Sequence, residues 1–309
     1  MTKAIAFHEY GSADVLRPVD LDLPAPGPGQ VRVAVRTVGV NPLDHKVRSG
    51  AMAELFPVAF PAVTGYEVAG VVEALGEGVS GFAPGDEVFG AVMGGGYAEH
   101  VLVQVELLGR KPASLGWEEA AAIPVAAETA ERVLDVLGVR AGETLLVHGA
   151  AGGVGTVLLQ FARARGITVI GTASEANHDH LRELGAIPVT YGEGLAERVR
   201  EAAPGGVDRA LDAAGQGGVL PLSIELTGSA DRVLTIADFV GGQQHGVRFT
   251  GGSEGVDHLH QRAYTAALAL HEAGTLRLPL HRVLPLAEAA EAQRISEQGH
   301  LRGKIVLTV

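Results

Sequence analysis

The stretch Thr144-Leu145-Leu146-Val147-His148-Gly149-Ala150-Ala151-Gly152-Gly153-Val154-Gly155 decides the fold. Its first four residues are a short apolar run bounded by Gly142 and Gly149, which reads as a buried parallel strand. Val154, Leu158, Phe161 and Ala162 then recur at helical spacing, and Gly166 stands at the usual helix-stop position after Arg165. The turn between strand and helix consists of small residues. It lets backbone approach phosphate oxygens closely, with the unpaired N–H groups of the helix start facing the charge. Ile167 to Thr172 supplies a second strand and completes a βαβ unit. Ala150 holds the place of the first glycine in a strict G-x-G-x-x-G string. Strand, turn, helix and second strand still stand in the order that a dinucleotide pyrophosphate requires, with Ala150, Gly152, Gly153 and Val154 as the expected contacts. The alternative is a βαβ unit whose loop is only structural.

Downstream, further strand candidates alternate with helical patterns: Pro188–Tyr191, Arg209–Asp212 and Arg232–Ile236. That alternation predicts an α/β fold with a doubly wound parallel sheet. Asp257–Gly274 and Pro285–Gln298 read as helices, and Lys304–Val309 as a strand returning to the first domain. Upstream, residues 1 to about 122 carry short β-prone runs (Val31–Val38, Val68–Val72, Glu87–Phe89, His100–Val103) between Gly/Pro turns, as in a compact, partly open barrel. Composition changes near Trp117, where an alanine-rich helical stretch, Glu118–Gly138, is interrupted at Pro124. The expected domains are 1–122, completed by 261–309, and a dinucleotide-binding domain at 123–260.

The 309 residues suffice for two domains, and 47% hydrophobic with 19% charged residues is a globular composition. A formal net charge of −12 disfavours nucleic acid or an anionic membrane as a partner. The chain has no cysteine, which excludes disulfides, thiolate metal sites and cysteine nucleophiles. Met1-Thr2-Lys3-Ala4-Ile5-Ala6-Phe7 reads as a strand rather than a signal peptide. The glycines of Thr144–Ala162 argue against a membrane span. The default expectation is a cytoplasmic protein.

The type of nucleotide turns on the end of the second strand. An NAD site usually carries an Asp or Glu there, about 20 residues after the turn. Here Ser174 falls at that position and can take a 2′-phosphate, with Asn177, Tyr191 and Arg182 as further contacts. Glu175 is the counter-argument, and Asn177 can equally serve as a helix cap. The expectation is NADPH. The strand ends at Ala213-Ala214-Gly215 and Ile236-Ala237-Asp238-Phe239 should line the same cleft, with Ala214, Ile236 and Ala237 as contacts, or be ordinary connections.

The blocks Gly39-Val40-Asn41-Pro42-Leu43-Asp44-His45-Lys46-Val47-Arg48-Ser49-Gly50, Gly65-Tyr66-Glu67-Val68-Ala69-Gly70-Val71-Val72, Gly85-Asp86-Glu87-Val88-Phe89-Gly90, Gly96-Tyr97-Ala98-Glu99, the glycine turn, and Gly303-Lys304-Ile305-Val306 stand in this order along the chain. Together they resemble the zinc-independent, zeta-crystallin-like quinone oxidoreductases of the medium-chain dehydrogenase/reductase superfamily. The resemblance implies a GroES-like catalytic domain interrupted by a Rossmann domain, an active site in the cleft between them, and a homodimer. Zinc alcohol dehydrogenases of that superfamily place a Cys in the block held here by Asn41 and a His where Tyr66 stands, so a zinc site would lack its main ligands. His178 with His180, and His258 with His260, are two apart and read as surface histidines, while His148 reads as packing or turn support.

Without zinc, hydride delivery to a simple carbonyl leaves a localised alkoxide unstabilised, whereas a quinone or α,β-unsaturated carbonyl spreads the charge. By resemblance, Asn41 lies near nicotinamide and substrate carbonyl, where its amide can donate and accept; otherwise it is an Asn-Pro turn. Lys46 stabilises an oxyanion or touches the cofactor, or is a surface lysine. Tyr66 donates its phenol proton or lines the substrate pocket, or is a structural tyrosine. Glu67 is structural. Thr129 matches the threonine that in the resembled family contacts the nicotinamide carboxamide; otherwise it is an ordinary helix threonine. Ala51–Pro61 and Gly241–Gly255 are the loops expected around the substrate. These readings give a metal-independent NADPH:quinone or enone reductase acting on a small-molecule conjugated acceptor. The alternatives are an alkenal or enoyl-thioester reductase on the same scaffold, or a non-catalytic NADPH-binding redox sensor.

Overall fold

A computed structural model describes residues 1–252 and 258–309. The chain divides into two compact units: Met1–Val125 with Leu278–Val309, and Ala126–Arg277. The sequence expectation set the second boundary at 260/261. It differs because the helix that follows belongs with the second unit.

In chain order the first unit contains β1 (Thr2–Ala6), β2 (Arg17–Leu21), β3 (Gln30–Val40), α1 (Pro42–Arg48), β4 (Glu67–Leu75), β5 (Glu87–Ala91), β6 (His100–Gln104), β7 (Leu108–Arg110) and α2 (Trp117–Ala122). The boundary falls in the first turn of α3 (Pro124–Leu137). The second unit then runs β8 (Thr144–His148), α4 (Gly153–Ala164), β9 (Thr168–Ala173), α5 (His178–Glu183), β10 (Ile187–Thr190), α6 (Leu195–Ala202), β11 (Arg209–Asp212), α7 (Val219–Thr227), β12 (Val233–Thr235), α8 (Phe239–His245), β13 (Arg248–Phe249) and α9 (Leu259–Glu272). The chain returns to the first unit for β14 (Leu280–Pro285), α10 (Ala289–Gln298) and β15 (Lys304–Thr308).

The first unit is built around β3. Val31, Val33 and Val35 alternate inward, and from Val38 to Val40 both faces are covered. One edge of β3 pairs with β4 along most of its length. The other edge pairs with β6 over Gln30–Ala34 and with the C-terminal β15 over Thr37–Val40. A register shift between Val35 and Thr37 marks the change of partner, the bend that a bulge gives a strand. The sheet order is β14-β15-β3-β4-β5-β7. The alanine-rich α2 lies over β3, β4 and β15. Its small side chains let it come so near that a Cβ on Gly39 would stand 2.6 Å from the Ala121 carbonyl oxygen.

The second unit is a parallel sheet of order β10-β9-β8-β11-β12-β13. Counted within the unit, this is 3-2-1-4-5-6, the doubly wound order, whose direction reverses between β8 and β11. β8, at the centre, has Leu145, Leu146 and Val147 with no exposed surface. Two glycines hold the turn after it against the sheet. A Cβ on Gly155 would meet the Gly149 and Ala150 carbonyl oxygens at 2.6 Å, and one on Gly171 would meet the Ala150 Cβ at 2.8 Å. Among the described residues no helix is long and apolar enough to cross a membrane.

Gly155→Ala therefore forces backbone apart, and Gly171→Ala pushes the turn off β9. Each should cost about 1–3 kcal/mol in chemical denaturation, as overpacking of a close contact does.

Candidate active site

The turn after β8 is organised by backbone. Ala150 N–H donates to Thr172 O at 3.2 Å, and Gly152 N–H donates to Gly149 O at 3.1 Å. Gly152 then caps α4 without a side-chain hydrogen bond, and among the described residues no side chain covers the first N–H groups of this 12-residue helix. Ala150 is buried, while Gly152, Gly153 and Val154 are half-buried. A helix N-terminus of this kind suits an anion.

Neighbouring strand ends close around the turn. A Cβ on Gly149 would lie 3.1 Å from Ala213, and one on Gly215 would lie 3.2 Å from Ala237. The loops carrying Ala214, Ile236 and Ala237 are pinned by a carboxylate with no exposure. Asp212 Oδ1 accepts from Ala214 N–H and Gly215 N–H, both at 2.9 Å, and its Oδ2 accepts from Thr235 Oγ1 at 2.8 Å. Thr235 Oγ1 in turn accepts from Ala237 N–H and Asp238 N–H. The sequence places Asp212 and Thr235 on strand candidates without a role, although each is the polar residue closing an apolar strand. His148 closes β8 in the same way, between Ser223 Oγ and Thr172 Oγ1, and burial pulls its pKa down to about 4.

Ser174 and Asn177 meet at the end of β9, where Asn177 Nδ2 donates to Ser174 Oγ at 3.2 Å. The serine hydroxyl accepts that bond and keeps its own hydrogen to donate. Glu175 is exposed on the same short turn. Tyr191 is exposed at the end of β10, and Arg198 donates to the carbonyls of Thr190 and Tyr191 through Nε and Nη2. Arg198 was not foreseen. Arg182 pairs with exposed Asp179 at 2.7 Å. Thr129 is buried on α3 beside an internal ion pair, Glu128–Arg132. Its hydroxyl donates to Glu128 Oε2 and accepts from Arg132 Nη2, so among the described residues one acceptor lone pair has no partner.

The expected surface histidines divide. His180 is buried, with Nε2 3.2 Å from Thr156 Oγ1, because α5 packs that face inward. His178 is half-buried near Thr190, His258 is exposed, and His260 stacks edge-on against Tyr264. Of the expected loop Gly241–Gly255, Gly241–His245 is helix α8, and residues 253–255 lie outside the described residues.

In the first unit, three adjacent strands, β15, β3 and β4, deliver Lys304, Asn41 and Glu67 to one end of the sheet. All three side chains are buried. Lys304 Nζ donates to Glu67 Oε1 at 2.6 Å, to Asn41 Oδ1, and to Val40 O at 3.3 Å. Asn41 Nδ2 donates to Glu67 Oε1 at 2.9 Å, and Val125 N–H at the start of α3 donates to Glu67 Oε2 at 2.8 Å. The carboxylate fits only beside a glycine, since a Cβ on Gly39 would stand 2.1 Å from Oε1. The sequence marks Lys304 as the start of the last strand and as part of a family block, with no role.

Asp44 is fully buried and bridges backbone, accepting from Asn41 N–H and Gly65 N–H at 2.7 Å each. Burial raises its pKa to about 7 against the pull of those two donors. Tyr66 is half-buried beside β4. Burial, and then the Asp44 charge, push its phenol above the ordinary range, which makes it a poorer proton donor than the sequence reading supposed. Lys46 is half-buried on α1. Among the described residues no group of three or more His, Cys, Asp or Glu is placed to hold a metal ion.

The alcohol dehydrogenase GroES-like domain matches residues 27–113, and the zinc-binding dehydrogenase domain matches residues 184–307. The quinone oxidoreductase structure from Coxiella burnetii superposes with a TM-score of 0.85 at 30% identity, covering 100% of this chain and 99% of that one. The chain belongs to the quinone oxidoreductase family of the medium-chain dehydrogenase/reductase superfamily. Its GroES-like unit is the β-rich one, and its Rossmann unit is the doubly wound one. A mycobacterial structure complexed with NADPH matches at TM-score 0.85 and 29% identity over the full length of both chains. The CurK enoyl reductase matches at 0.87 and 27%, covering 99% of each chain. Rattus norvegicus quinone oxidoreductase is 41% identical over 176 residues, 56% of this chain and 53% of the relative. The pikromycin polyketide synthase component PikAII of Streptomyces venezuelae is 35% identical over 97% of this chain, which spans 8% of that protein. The chain thus spans about half of one curated relative and under a tenth of the other.

Asp44 supplies a pH test. Between pH about 4 and about 7 the folded chain keeps a proton on this carboxyl that the unfolded chain has released. Its contribution to stability is full below about pH 4 and is lost as the pH rises through about 7. Calorimetric Tm values for Asp44→Asn should therefore vary less with pH across that window than those of the wild type.

Proposed function

We propose that this chain is an NADPH-dependent reductase of quinones or other α,β-unsaturated carbonyls that works without a metal. The observation that carries the reading is the uncapped start of α4, set at the sheet's switch point and walled by the loops after β11 and β12. Gly152, Gly153 and Val154 hold the pyrophosphate, and Ala150 seats the turn. Ser174, Asn177, Tyr191 and Arg198 take the 2′-phosphate, favoured by a serine hydroxyl left free to donate. Ala214, Ile236 and Ala237 line the nucleotide, and the spare lone pair of Thr129 accepts from the carboxamide. The bound nucleotide supplies a hydride. Asn41 donates a hydrogen bond to the acceptor's carbonyl oxygen, and Lys46, in the last turn of α1, is a further candidate.

Metal independence is supported by the residues themselves. Asn41 Oδ1 and Glu67 Oε1 are already taken by an internal ammonium, and no cysteine exists to replace them. These residues do not fit a zinc ion. The product's negative charge must then be spread by the substrate, which favours conjugated acceptors. The mycobacterial relative bound to NADPH supports the choice of nucleotide. A small-molecule substrate, a cytoplasmic location and a homodimer complete the proposal. A second reading, an enoyl-thioester reductase, is favoured by the polyketide synthase match, which extends over nearly the whole chain.

A screen following cofactor absorbance with NADPH and NADH over quinones, enals, enones and a crotonyl thioester tests the reading. NADPH oxidation by a quinone or enone, unaffected by a chelator, is expected. Turnover abolished by the chelator and restored by Zn²⁺ would end it, and preference for the thioester would select the second reading. A Cβ at position 152 meets only ordinary contact in the protein, 3.4 Å from Gly149 O. Gly152→Val should therefore keep the wild-type Tm within a few degrees while weakening NADPH binding about tenfold or more, read by fluorescence titration. Arg198→Ala should raise the KM for NADPH about tenfold and leave that for NADH unchanged, consistent with a lost charge-assisted contact.

A further inference from the structure

Lys304 has three ammonium hydrogens and three acceptors: the Glu67 carboxylate, the Asn41 amide oxygen and the Val40 carbonyl. This satisfies the lysine and constrains the asparagine. An ammonium only donates, so Asn41 must turn Oδ1 toward it. A carboxylate only accepts, so Asn41 must turn Nδ2 toward Glu67. The amide is held from both sides and cannot flip. One N–H of Nδ2 is spent on Glu67, and among the described residues the other has no partner. A cation on the oxygen of an amide also polarises its N–H groups and makes them stronger donors.

We infer that Lys304 is a positioning residue that fixes Asn41 as a hydrogen-bond donor and sharpens that donor for a substrate oxygen gaining negative charge. The inference rests on the reductase reading for its substrate, and on the hydrogen bonds alone for the locked amide. Lys304 itself touches neither substrate nor cofactor in this scheme. Gly39 belongs to the same device, because only a glycine leaves room for the carboxylate that completes the lock.

Lys304→Met alone strands a buried carboxylate and can fail to fold. The paired variant Lys304→Met/Glu67→Gln removes both charges at nearly constant volume. The introduced glutamine side chain can both donate and accept, so the Asn41 amide loses its fixed orientation. The chain has only two asparagines, Asn41 and Asn177. Asparagine labelled with 15N in the side chain therefore gives two NH2 groups in an NMR spectrum, assigned with Asn41→Asp. In the wild type, the two Asn41 amide protons should be well separated and slow to exchange. Addition of p-nitrophenolate, a delocalised oxyanion, should shift the unbonded one. In the paired variant the separation should shrink toward that of Asn177 and the phenolate response should vanish. With a conjugated acceptor, kcat should fall about tenfold or more, as for weakening a single oxyanion donor, with the KM and Kd for NADPH within about threefold. Unchanged Asn41 resonances in the paired variant, or kcat within twofold of wild type, would overturn the proposal. A wild-type chain that fails to oxidise NADPH in the presence of every acceptor in the screen would defeat the reductase reading, and the NMR result would then decide the role of Lys304 by itself.

Discussion

The Glu67 carboxylate is the interaction on which the polar end of the first unit depends. It has no exposed surface, yet it gathers an ammonium, an amide and a helix N–H around its two oxygens. Taking two charges out of water costs several kcal/mol per ion, and such a pair holds only where the remaining donors and acceptors are also met. Here they are met completely. Lys304 has no unused hydrogen, and both carboxylate oxygens are bonded. Three strands must stand in the observed register to achieve this, so the pair specifies the arrangement of β15, β3 and β4 as well as filling it.

The second unit applies the same physics with different residues. Asp212 closes β11 and organises two loops through three hydrogen bonds, one of them relayed by Thr235. Glu128 and Arg132 hold the Thr129 hydroxyl much as Glu67 and Lys304 hold the Asn41 amide. In each unit a neutral polar side chain is oriented by a buried pair of opposite charges. The pair leaves its neutral neighbour with a single hydrogen-bonding sense to offer.

The sheet of the second unit was legible because its signal is local. Thr144–Val147 is apolar and bounded, and the small-residue turn and the helical repeat follow within a dozen positions. β13 was not legible: two residues, Arg248 and Phe249, carry no period. β14 went unread for a related reason. Its alternation is shallow, with exposed Arg282 and Val283 at its centre. α1 was hidden behind the Asn41-Pro42 dipeptide, which reads as a turn but here places Pro at the first helical position, where it is tolerated. The polar lock was least legible of all. Glu67 and Lys304 stand 237 residues apart, and no window along the chain contains both. A family block marked each position, but only the strand order brings them together. Buried His180 was missed because a two-residue spacing says nothing about which side of a short helix packs inward.

The change of partner along β3 bears on the order in which the molecule can be completed. Residues 126–277 are contiguous and hold every strand of the parallel sheet, so a growing polypeptide can finish that unit as soon as it emerges. The unit begun first must wait. Half of one edge of β3 stays open until residues 304–308 arrive, and until then Glu67 lacks its counter-charge. The N-terminal unit is thus the last to close, and its closing act is to bring a lysine from the far end of the chain to an acid already in place.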